Sequence, residues 1–204
     1  MLKVERISVM NLENAMRGAR NPLNSWAKSD SYYDENGQYI LGENDLGLAK
    51  RLARAGSDHR KYLRQVFVSV DVTAPMYWWK EYDTYKIATV GNSCSTMHKI
   101  HAKKFEMSDF SVEHLRSLGV MHVVIDELNF YRDKFNKDKK KEDWWEMIQL
   151  LPTSYNQKRT VHLNYEVLGT IYHQRRHHKL DEWVEFCNMI KTLPYSEFIT
   201  REFE

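Results

Sequence analysis

The stretch Val66-Phe-Val-Ser-Val-Asp-Val-Thr73 constrains the chain more than any other. Val66, Val68, Val70 and Val72 fall on one side of an extended backbone, with Phe67, Ser69, Asp71 and Thr73 on the other, which is the period of a strand and incompatible with a helix. Ala74-Pro75 follows, and proline suits the first turn of a helix, so MYWWKEYDTYKI is predicted to continue as one. Tyr77, Trp78 and Trp79 occupy successive positions around such a helix. They cannot all face one core, which points some of them toward a subunit interface or a ligand.

Other elements follow from the same periods. Residues 1–10 read as an edge strand and Leu12–Arg20 as a helix closed by Asn21-Pro22. Ser29–Gly42 is a polar, tyrosine-bearing loop or small hairpin. Leu46, Leu48, Ala49, Leu52 and Ala53 mark an amphipathic helix that Gly56 stops. Met121–Ile125 is an apolar run entering a helix with Leu128, Tyr131 and Phe135, and the charge-dense 132–143 reads as a solvated helix end and loop. Trp144–Leu151 is helical up to Pro152, Arg159–Asn164 is a second core strand, Tyr165–Gln174 a helix, and Asp181–Leu193 a last helix with Trp183, Phe186 and Ile190 inward. Helices and strands in this mixed order predict an α+β fold, a mixed or antiparallel sheet flanked by helices, formed by one domain over 1–204.

Charge and cysteine content narrow the function classes. Thirty basic and 28 acidic residues leave a net charge of +2, so any anion site is local and nucleic acid is not an expected partner. Cys94 and Cys187 show no metal or disulfide spacing, and the N-terminus has no apolar leader, which predicts a cytoplasmic protein without a membrane segment. The cluster HQRRHHK at 173–179 has two readings, a favourable helix C-terminal end or an anion site. His98 and His101, one turn apart, and His177-His178 lack carboxylate or thiolate partners at ligand spacing, so no metal is expected. Neither G-x-x-x-x-G-K nor G-x-G-x-x-G occurs.

Read together, Asp58-His59, the valine strand, Ala74-Pro75, the aromatic helix and Lys86-Ile-Ala-Thr89 resemble the flavin-dependent thymidylate synthases. That family has Gly-His before the strand, Ala-Pro after it, and then R-H-R-x-x-S-x-N-E-x-S-x-R-Y. Arg17-Gly-Ala-Arg20 is similar to its Arg-Ala-Ala-Arg, and Leu150-Leu151-Pro152, Asn164, Arg175 and the Trp183 helix follow in the family's order. Lys86 and Thr89 stand for the second arginine and the serine, and Asn92 and Ser95 for the asparagine and second serine after a one-residue insertion. Thr84 and Tyr85 replace the first Arg-His, Ser93 the glutamate, and Met97-His98 the closing Arg-Tyr.

The resemblance implies reductive methylation of dUMP to dTMP with FAD, methylenetetrahydrofolate and NADPH, without an enzyme nucleophile, in a homotetramer. It implies Arg175 as the catalytic group at the uracil, His59, Lys86, Thr89 and Asn164 as cofactor contacts, and Asn92, Ser95 and Arg175 as nucleotide contacts. A homologue that keeps the pocket but has lost the reaction, or an assembly protein on the same fold, is the alternative, since several signature cations are replaced.

Overall fold

The computed structural model describes residues 1–203. Four strands form the main sheet: β1 (Lys3–Met10), β4 (Phe67–Pro75), β5 (Val90–Ser93) and β6 (Asn156–Asn164), in the order β1-β4-β6-β5. The sheet is antiparallel and flanked by helices, as the α+β reading expects. Val66, Val68, Val70 and Val72 are all buried, so the period-2 stripe is the core face of β4. β1 lies at the sheet edge, as its sequence predicts. β5 lies at the other edge and is exposed throughout.

The chain divides into two compact units: Met1–Lys3, Asp71–Thr84 and Gly91–Thr160 in the first, Val4–Val70, Tyr85–Val90 and Val161–Glu204 in the second.

In the first unit, α5 (Leu118–Asp138) and α6 (Lys141–Leu150) form a helical hairpin, turned at Lys139 with φ 54. Met121, Ile125, Leu128 and Met147 pack with Ile100, Phe105 and Phe110 into one cluster. The segment before α5, including the short α4 (Thr96–Lys99), is tied to the hairpin through its backbone. Buried Asn129 donates to the Phe105 carbonyl and accepts from the Phe105 amide, both at 2.9 Å. Asn136 donates to His101 O at 3.0 Å and Trp144 Nε1 to Met97 O at 3.0 Å.

Two expectations fail here. The helix after Ala74-Pro75, α3 (Met76–Tyr82), has 7 residues and does not reach Ile87. Thr84 donates its hydroxyl to Glu81 O at 2.7 Å, and Arg159 draws the Asp83 carboxylate to 2.7 Å, so the turn beyond Tyr82 is held outside the helix. Nor do the tryptophans face outward: Trp78 and Trp79 both have 0% exposure. Trp78 stacks on Tyr82 at 5.3 Å, while Trp79 donates to Gln157 O at 2.9 Å under the Arg159 guanidinium. A helix this short can be covered on two adjacent sides.

The second unit contains α1 (Leu12–Ala19), the hairpin of β2 (Tyr32–Tyr33) and β3 (Tyr39–Ile40), α2 (Glu43–Arg54), a 3-10 turn at Arg60–Gln65, α7 (Tyr165–Arg175), α8 (Asp181–Lys191) and α9 (Glu197–Thr200). Tyr32 pairs with Ile40 and Tyr33 with Tyr39, the small hairpin that 29–42 allows. Trp183, Phe186 and Ile190 of α8 are fully buried, as predicted. Gly56, at φ 107, takes the left-handed turn just past the end of α2.

One buried ion pair organises the loop between α1 and α2. Arg20 donates Nε to Asp45 Oδ1 at 2.6 Å, and its other nitrogens hold Ser25 O and Lys28 O at 3.2 and 3.1 Å. Asp45 Oδ2 accepts from Ser29 and Ser31, each at 2.6 Å. The Asp30 carboxylate accepts from the amides of Asn44 and Asp45 at 2.8 and 3.1 Å, which caps α2 from outside its own chain run.

Candidate functional site

Helix α7 carries two of the five predicted site residues of the second unit, Asn164 at its start and Arg175 at its end. It starts at Asn164, a buried N-cap whose Oδ1 accepts from Val167 N at 3.0 Å. Glu166 in its first turn takes both Arg60 contacts at 2.9 Å, which brings the 3-10 turn after His59 against this end. Arg175 closes the helix, about 16 Å away at 1.5 Å per residue.

The Arg175 guanidinium is gripped on several sides. Its Nε donates to the Tyr85 hydroxyl at 2.9 Å, and that hydroxyl donates in turn to Gln174 Oε1 at 2.9 Å. Its carbon lies 4.9 Å from the centre of the Trp183 ring and 5.7 Å from that of Tyr85, the two rings meeting edge to face. Trp183 is fully buried, so the cation rests on a wall that cannot move aside. Such contacts contribute roughly 0.5–2 kcal/mol each and, more to the point, fix the plane of the fork. A positive group held this way can stabilise charge developing on a ligand without rearranging. Lys86 and Thr89 lie in the turn that supplies Tyr85: Lys86 is exposed, and Thr89 donates its hydroxyl to the Tyr85 carbonyl.

A second place of interest lies at the 3-10 turn after His59. A cavity of about 520 Å3 has apolar walls from Pro22, Leu48 and Leu52 and polar groups from His59, Lys61 and Tyr62. Burial pushes the Tyr62 phenol up, so it stays protonated and donates to Ala49 O at 2.9 Å. The volume lies in the range of small-molecule sites. Lys61 supplies a cation beside the His59 imidazole.

The predicted residues thus separate. Arg175, Lys86 and Thr89 come together through Tyr85, and His59 and Asn164 lie toward the opposite end of α7. Asn92 and Ser95 belong to the first unit, where Asn92 is exposed on β5 and Ser95 caps α4 by accepting from His98 N at 3.1 Å. Two residues were missed by sequence reading: Tyr85, taken as the loss of a histidine, and Trp183, taken as core alone. Among the described residues no group of three His, Cys, Asp or Glu could hold a metal ion, and no helix is long and apolar enough to cross a membrane.

No family model and no curated protein matches the sequence. Solved structures do. Thymidylate synthase X from Helicobacter pylori, with FAD and dUMP, matches at a TM-score of 0.72 and 16% identity, over 97% of this chain and 96% of that one. Flavin-dependent thymidylate synthase ThyX from the same organism, complexed with FAD and dUMP, matches at 0.70 and 16%, over 96% of each chain. The fold is that of the flavin-dependent thymidylate synthases. Since the match spans nearly the whole chain, the thymidylate synthase fold accounts for both units.

Proposed function

We propose that the chain binds a uracil nucleotide and FAD and catalyses reductive methylation of dUMP to dTMP, with methylenetetrahydrofolate as carbon donor and NADPH as reductant. The observation that carries this reading is the Arg175 guanidinium, locked against Trp183 and Tyr85. Arg175 sits at the uracil and holds the negative charge left as N3 loses its proton. Lys86 and Thr89 contact the cofactor, and Asn92 and Ser95 contact the nucleotide, as the resemblance implies. His59 and Asn164 contact the flavin, whose ring lies along the walls of the His59 cavity, and because that cavity lies toward the opposite end of α7 from Arg175, the flavin of one subunit meets the uracil of another in the homotetramer. When bound, reduced FAD supplies the hydride that completes the methyl group. The working form is a cytoplasmic homotetramer, as the resemblance implies.

One observation favours a second reading, a nucleotide-binding homologue that has lost the reaction. Tyr85, at the signature histidine position, is engaged with both Gln174 and Arg175 and contributes no cation.

The test is flavin retention followed by turnover. Protein incubated with FAD and desalted should keep a visible flavin band and release tritium from 5-tritiated dUMP when methylenetetrahydrofolate and NADPH are added. Arg175→Lys should lower kcat/KM roughly 100-fold or more with Tm nearly unchanged. Retained flavin without tritium release supports the second reading, and a colourless protein refutes flavin binding.

A further inference from the structure

The loop after α1 presents aromatic side chains around a cavity of about 300 Å3. Its walls are Trp26, Tyr32, Tyr33 and Tyr39, with Glu13 and Arg17 of α1 beside them. Trp26 is 47% exposed, Tyr32 58% and Tyr33 56%. Exposed rings on a loose loop would collapse together or onto the nearest core. These are held in place from below, because Ser29 and Ser31 are bonded to buried Asp45 and the Arg20 guanidinium clamps the backbone at Ser25 and Lys28. A rigid support under open aromatic faces is how a binding site is preorganised.

The charges around the rings say what kind of ligand suits them. Arg20 is neutralised by Asp45. Glu13 accepts the Tyr33 hydroxyl, a bond that raises the Tyr33 phenol above its ordinary value. Arg17, one turn along α1 from Glu13, is exposed and its side chain makes no hydrogen bond or ion pair among the described residues. The pocket therefore combines flat aromatic faces with one available guanidinium. Base stacking on aromatic rings and a phosphate on an arginine fork use these two features together. A quaternary ammonium would suit the rings alone, but it meets Arg17 as a like charge and finds Glu13 already bonded.

We propose that this pocket is a second nucleotide site: a nucleobase stacks among Trp26, Tyr32 and Tyr39, and its phosphate is held by Arg17. It shares no lining residue with the His59 cavity and includes none of the residues around Arg175, so it goes beyond the function proposed above. The ligand is a nucleoside phosphate, either free or as one half of a dinucleotide.

Calorimetric titration of the full chain with AMP, UMP, NAD+, adenosine and inorganic phosphate tests it. AMP or UMP should bind more tightly than adenosine or phosphate, and should quench a tryptophan emission that Trp26→Phe removes. Arg17→Gln and Tyr32→Ala, whose side chains have no partners among the described residues, should each weaken binding roughly tenfold or more at unchanged Tm. NAD+ binding more tightly than AMP, with the same dependence on Arg17, identifies a dinucleotide as the source. AMP binding at least as tightly identifies the free nucleotide. Nucleotide affinity unchanged in both variants, no binding by the wild type, or displacement of AMP by choline overturns the proposal. Flavin retention is scored separately by absorbance, so this site can fail while the proposed function stands.

Discussion

Replacing Asp45 by alanine removes the single acceptor shared by Arg20, Ser29 and Ser31. Burial decides how much this matters. Asp45 is 0% exposed and Arg20 5%, so water cannot take over as partner for the guanidinium. An exposed ion pair contributes about 0–1 kcal/mol, whereas deleting one partner of a buried pair costs about 3–5 kcal/mol, because the other charge stays buried and alone. At roughly 2–4 °C per kcal/mol for a chain of this length, the expected fall in Tm is about 6–20 °C. The double variant Asp45→Ala, Arg20→Met removes the stranded charge and should be more stable than Asp45→Ala. Thermal unfolding followed by circular dichroism at pH 7 reads both. A fall under about 2 °C for the single variant, or a double variant that loses the sum of both single losses, would refute the reasoning. The same carboxylate sets a pH dependence. Burial pushes it up, but the hydrogen bonds from Ser29, Ser31 and Arg20 and the Arg20 charge outweigh burial and hold it below the usual range. A depressed folded value gives stability that is present above the ordinary carboxylate pKa, about 4, and lost as pH falls through the lower folded value. Asp45→Asn should remove that part of the acid limb.

Asn129→Leu leaves the buried N–H and C=O of Phe105 without partners, which should cost about 2–4 kcal/mol and speed exchange of the Phe105 amide at least tenfold; unchanged exchange would mean the clamp is not what protects it. Burial pushes the Cys187 thiol up to about 11, while Cys94 is exposed, so iodoacetamide at pH 8 should alkylate Cys94 first and Cys187 only on unfolding, as mass spectrometry of digests would show; equal rates would contradict the burial. A Cβ at Gly42 would lie 2.3 Å from Asp30 Cγ and 2.4 Å from its carbonyl oxygen, so Gly42→Ala should displace the cap of α2 and cost about 1–3 kcal/mol, with an unaltered Tm as the contrary result.

Periodic burial was legible in the sequence wherever an element is long enough to repeat. The valine stripe of β4 and the inward face of α8 are read directly from residue spacing and stand as read. α3 is too short for a face to repeat, and its length is set by Arg159, 76 residues away from Asp83, which no local pattern reports. The site divides similarly. The resemblance picks out Arg175 by residue type and order, but the ring that positions it, Tyr85, lies 90 residues away and stands where the signature has a histidine. Thr89 and Ser95 match signature positions by type and Asn164 a later asparagine of the family, and in the fold each bonds a nearby backbone group. A motif records which side chains occur, and hydrogen-bond partners are decided by the backbone around them.

The tether between 97–105 and the α5–α6 hairpin has a consequence for how this chain can change. Asn129, Asn136 and Trp144 hold the segment by its peptide groups at Phe105, His101 and Met97, and every amino acid except proline presents the same N–H and C=O there. Exposed positions such as Lys103 and Lys104 can therefore drift through many side chains at little cost, while the three residues on the hairpin cannot be exchanged singly. Divergence along this stretch would erase its sequence signal long before it loosened the structure.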